Sequence, residues 1–103
     1  MEKFKVVVKL ADGGKSFGLK VISHFDKKES ERTTRQLKFN KDNEANVTLE
    51  KGRHLFMWHF LGNPGATIQV VISDAAGKVV RTFKDTIPAN RVSELDVGEL
   101  EVQ

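Results

Sequence analysis

Apolar residues in this chain recur at every second position and not at helical spacing, a pattern that restricts it to strands. In Lys3-Phe4-Lys5-Val6-Val7-Val8-Lys9-Leu10, the residues Phe4, Val6, Val8 and Leu10 fall on one face and mostly lysines on the other. No run of ten or more residues repeats apolar positions at i, i+3 and i+4, so a helical bundle is excluded. Turn chemistry punctuates the alternation every 8 to 12 residues.

Ala11-Asp12-Gly13-Gly14 supplies residues that tolerate positive φ and predicts a tight hairpin into a second strand over 15–25, with Phe17, Leu19 and Val21 facing inward. Asp26 to Thr34 is polar and aperiodic, hence an exposed loop. Gln36 to Asn40 and Asn46 to Leu49 read as short strands around a turn at 41–44. Thr67 to Ser73 and Lys78 to Phe83 form a further hairpin across Asp74-Ala75-Ala76-Gly77, with positive φ expected at its glycine as at one glycine of the first turn. Val92 to Val97 and Glu99 to Val102 complete the set, one or both as edge strands whose acids oppose aggregation.

Seven or eight antiparallel strands in 103 residues describe one all-β domain over 1–103. Its expected form is a two-sheet sandwich of immunoglobulin-like or transthyretin-like kind, with a small closed barrel as the alternative. No Cys pair flanks the single Trp, so the similarity is one of pattern alone. The predicted core is Val6, Val8, Leu19, Val21, Phe56, Trp58, Ile68, Val70, Ile72 and Val79.

The residue inventory removes several chemistries. With no Cys there is no disulfide, thiolate zinc site or cysteine nucleophile. No apolar run approaches the 18 residues that span a bilayer, so no membrane association is expected. The start Met1-Glu2-Lys3-Phe4-Lys5 is unlike a leader peptide. That gives a soluble, cytoplasmic default, replaced by a periplasmic or surface location if a leader was removed.

Of the histidines, His54 and His59 lie five apart in one strand and so point to opposite faces. His24 and Asp26 share a parity, but two ligands fall short of a zinc site. No metal or other cofactor is expected. There is no Gly-x-Ser-x-Gly elbow, no phosphate loop and no helix-flanked calcium loop, and Asn46-Val47-Thr48 is a glycosylation triplet of the kind chance produces often. The chain is expected not to be an enzyme.

Charge is uneven: residues 1–53 carry 13 basic and 8 acidic groups, residues 54–103 carry 4 and 6. The bases are interleaved with acids, as in Lys27-Lys28-Glu29-Ser30-Glu31-Arg32. Nucleic-acid binding would need aromatics exposed among bases, and Phe39, between Lys38 and Lys41, shares the parity of Leu37 and reads as core.

His54 to Leu61 breaks the half-wet pattern. Phe56, Trp58 and Phe60 occupy one face while Leu55, Met57 and Leu61 occupy the other, and only one face can enter an inter-sheet core. The second needs a cover: a loop over 26–34 or 85–90, a ligand, or another chain. The leading expectation is a non-catalytic interaction module that uses Met57, His59 and Leu61 to bind a protein partner or a second copy of itself. A carbohydrate-binding module stacking sugars on Trp58 is the alternative, and a nucleic-acid-binding β domain a further one.

Overall fold

A computed structural model describes residues 1–103, all in one two-layer sandwich. The strands are β1 (Glu2–Ala11), β2 (Gly14–Ser23), β3 (Thr33–Gln36), β4 (Glu44–Leu49), β5 (Gly52–Gly62), β6 (Thr67–Asp74), β7 (Val79–Thr86) and β8 (Ser93–Val102). One antiparallel sheet runs β4-β1-β6-β7 and the other β3-β2-β5-β8; they do not close into a barrel. The Cα extents of 38 × 32 × 19 Å describe a slab, thin enough for two sheets about 10 Å apart with no third layer over either.

The alternation does what it predicted at the core. Phe4, Val6 and Val8 of β1 face Leu19 and Val21 of β2 and Phe56, Trp58 and Phe60 of β5 across the interior, and all are at most 5% exposed. Trp58 stacks on Phe83 at 5.2 Å between centroids, and its indole N–H donates to Asp85 Oδ2 at 3.0 Å. Gly98 lies opposite Phe56 in the β5–β8 ladder, and a Cβ there would collide with the Phe83 ring. The glycine therefore admits the ring that closes the sandwich between β7 and β8.

Four expectations are corrected. The turn at Asp12 (φ 56) and Gly13 (φ 96) is tight, yet β1 and β2 do not pair as a hairpin, because each belongs to a different sheet. Both flanks of β1 are taken by β4 and β6, and both flanks of β2 by β3 and β5, so the two strands stack through their apolar faces. Val79 is 53% exposed rather than buried. A bulge between Ile72 and Ser73 makes β7 advance two residues for one of β6, so Val79 lands opposite Ser73 on the outside.

The third strand covers Thr33–Gln36 and not 36–40, since the chain leaves the sheet once Leu37 N–H has bonded Leu19 O and crosses to β4 through a turn held by Asn40. The last two segments are one strand, paired with β5 from Gly52↔Val102 to Leu61↔Ser93. The β6–β7 hairpin is as predicted, with Gly77 at φ 87.

Two outcomes follow. Trp58→Ala should cost roughly 3 to 5 kcal/mol, because an aromatic side chain only 3% exposed leaves a cavity that the rigid sheets fill incompletely; urea unfolding reads this, and a loss under about 1 kcal/mol would contradict the burial. Gly77→Val should lower the melting temperature more than Gly77→Asn, since Asn tolerates positive φ and a β-branched residue does not.

Candidate functional site

Strand β5 sits second from the edge of its sheet, so its outward residues form a face rather than a rim. Across it, Leu55 lies beside Ile22 and Glu99, Met57 beside Lys20 and Val97, His59 beside Gly18 and Leu95, and Leu61 beside Ser16 and Ser93. Met57 is half-buried, His59 exposed and Leu61 42% exposed; Leu95 and Val97 are 55% and 42% exposed. The three residues expected from sequence share one face and are joined there by two that were missed. Leu95 and Val97 lie at alternate positions, a visible signal, but only the β5–β8 register puts them beside His59 and Met57.

No loop covers this face. Residues 26–34 are exposed and make a single 3-10 turn at Glu29–Glu31. In the other candidate loop Ile87 is buried, its N–H bonded to Ala66 O and its carbonyl accepting from Gly65 N–H, which ties the segment to the β5–β6 connection. The loop cover expected from sequence is thus corrected at both segments. Because Gly18 carries no side chain, the face dips beside His59 into a depression of about 390 Å³ bordered by Lys20, Gln36, Met57 and Leu95.

One end of the face is rimmed by charge. Arg53 donates from Nε and Nη2 to the two carboxylate oxygens of Glu99, the second bond at 3.0 Å, and Asp26 lies 3.9 Å from Nη1. The hydrogen bonds from Arg53 hold the Glu99 carboxyl below the usual carboxylate range, and the same bonds raise the Arg53 guanidinium further. The pair is exposed, so it marks a polar boundary more than it stabilises the fold.

The other candidate residues separate. His54 is interior and His59 exterior, as the parity predicted. His24 and Asp26 do not converge: β2 ends at Ser23, His24 turns to φ 57, and its Nε2 lies 3.2 Å from Glu50 Oε2 while Asp26 faces Arg53. No group of three or more His, Asp or Glu side chains is placed to hold a metal ion. Trp58 lies under Phe83 and offers no flat face to a sugar. Phe39 is half-buried edge-on against Phe17 at 4.9 Å, and no aromatic side chain is exposed for base stacking.

A Ser–His pair went unseen in the sequence. Ser23 and His54 are cross-strand neighbours, with Ser23 Oγ 2.8 Å from His54 Nδ1 and His54 Nε2 2.7 Å from the Glu50 carbonyl oxygen. A carbonyl only accepts, so Nε2 carries the proton and, in the neutral ring, Nδ1 accepts from the hydroxyl. The contact resembles a nucleophile with its base. However, the two residues are 4% and 1% exposed, and no substrate reaches the hydroxyl in this conformation. Its role here is to satisfy a buried imidazole.

No protein-family model, curated protein or solved structure matches this chain.

Ser23→Ala should destabilise the fold by roughly 1 to 3 kcal/mol, because it leaves a buried ring nitrogen without a partner. Chemical denaturation reads the loss, and a neutral effect would show that His54 finds another donor.

Proposed function

We propose that this chain is a non-catalytic interaction module that docks protein on the outer face of the β3-β2-β5-β8 sheet, with a second copy of itself as the simplest occupant. The supporting observation is the continuous run of Met57, Leu61, Leu95 and Val97 across two neighbouring strands with no segment of the chain over it. Full burial of such a side chain is worth roughly 1.5 to 3 kcal/mol, and these, about half exposed or less, forgo only part of it while the face stays in water. The sheet spans roughly 19 Å across four strands and roughly 35 Å along β5, a footprint approaching the roughly 800 Å² per partner of a standard interface.

A two-fold axis along the strands would set β2 of one copy over β8 of the other, so that one apolar patch covers both chains and Lys20 comes near the partner's acidic strand. The Gly18 depression is of a size to receive a protruding side chain from the opposite sheet. The sugar reading loses its platform with Trp58 buried, and the nucleic-acid reading lacks an exposed aromatic.

Light scattering at about 100 μM, a concentration that populates even a micromolar dimer, should give twice the monomer mass. The double variant Met57→Thr, Leu61→Thr should be monomeric and retain the wild-type melting profile. A wild-type monomer at that concentration would overturn self-association.

A further inference from the structure

The opposite side of the slab has a different chemistry. Lys3, Lys5 and Lys9 alternate with the buried Phe4, Val6 and Val8 and so point outward from β1; Lys84, opposite Gln69, lies on the same face. At one end of this face a groove of about 1000 Å³ is lined by Lys3, Lys5, Arg35 and Lys38, with the amide and hydroxyl of Asn46 and Thr48 between them.

The charges there are poorly compensated. Arg35 is half-buried and donates from Nη2 to the Thr48 carbonyl at 2.8 Å, but it has no carboxylate within 4.0 Å, nor do Lys3 and Lys38. Lys5 has only a long contact of 3.9 Å with Glu44. Asp74, the acid lining the groove, accepts from the Ala76 and Lys78 backbone N–H groups through Oδ1 and so spends part of its capacity closing the β6–β7 turn. A guanidinium drawn partly out of water without a counter-charge is a standing demand for an anion.

We infer that this groove binds a linear acidic polysaccharide through its sulfate groups. Lys3 and Lys5 stand roughly 6.8 Å apart on β1, and with Arg35 and Lys38 they spread four cations along the groove for an extended polymer to follow. The neutral donors and acceptors among them, Asn46, Thr48 and Ser73, suit a hydroxyl-rich backbone. The absence of exposed aromatics disfavours single-stranded nucleic acid, whose sequence-tolerant binding leans on stacked bases. Lys3 and Lys5 reach the groove from β1, in the sheet away from Met57 and Leu61, while Arg35 and Lys38 reach it from β3 and the segment after it, at the sheet edge farthest from Leu95 and Val97 on β8.

The test measures binding of a heparin oligosaccharide by titration calorimetry at two salt concentrations, with unsulfated dextran and a single-stranded oligonucleotide of matched charge as comparators. Lys3→Gln, Arg35→Gln should weaken heparin binding on the order of tenfold, the loss of two charge-assisted contacts, and flatten its salt dependence. Lys3→Gln, Lys38→Gln removes no intramolecular hydrogen bond and should do the same with the fold untouched. Lys15→Gln, Lys27→Gln lowers the net charge equally outside the groove and should change little. Equal losses in all three variants would reduce the effect to diffuse charge and overturn the site. Tighter binding of the oligonucleotide, equal binding of dextran, or no heparin binding would overturn the ligand class.

Discussion

The sandwich depends on one strand that is apolar on both sides. β5 pairs with β2 along one flank and with β8 along the other, and its inward residues Phe56, Trp58 and Phe60 fill the middle of the interior. Around Trp58 the packing is specific rather than merely oily. Phe83 reaches across from the other sheet to stack on the indole, Gly98 clears space for that ring, and Asp85 takes the indole N–H. Because the donor is satisfied, the largest side chain in the protein is buried without a stranded polar group. The edge strands β7 and β8, which share few other contacts, are joined chiefly through this cluster and through Arg81 Nε, which donates to the Glu99 carbonyl.

The same centrality explains the outer face. A strand with neighbours on both flanks cannot turn its second side to a rim where a few charges would solvate it. Leu55 and Met57 are sheltered by the rows beside them, but Leu61, Leu95 and Val97 remain open. The outer face of the β4-β1-β6-β7 sheet carries Lys3, Lys5, Lys9 and Lys84 around the half-buried pair Val7 and Val71, so the two broad sides of a 19 Å slab differ in kind. One exposes apolar side chains, the other lysines. The uneven distribution of acids and bases between the two halves of the chain does not map onto the sheets, because each sheet draws two strands from each half.

Much of this is written locally. Alternation in 3–10, 54–61 and 67–73 assigns which side chains face in, since a strand has only two faces and a one-residue slip would expose the whole set. That reasoning placed Val6, Leu19, Trp58 and Val70 correctly, and set His54 and His59 on opposite sides. It failed at Val79, where a bulge in a partner strand reverses the parity, and no residue of 78–83 signals that reversal. It failed again at Asp12-Gly13-Gly14, because a positive-φ turn folds the chain back equally well beside a strand or over it.

The sequence by itself determined an all-β chain with one face of each strand committed to a core, and it singled out Met57, His59 and Leu61 as residues left outside it. Those are consequences of period and side-chain chemistry, which neighbours in the chain are enough to specify. Tertiary structure decided which strands lie side by side, and with them everything that needs two distant segments: Leu95 and Val97 beside β5, Ser23 against His54, Arg35 near Thr48 and Lys3 in one groove. Register is chosen by the packing of the whole interior, where rings such as Phe83 find room only against a particular glycine, and no local pattern carries that information.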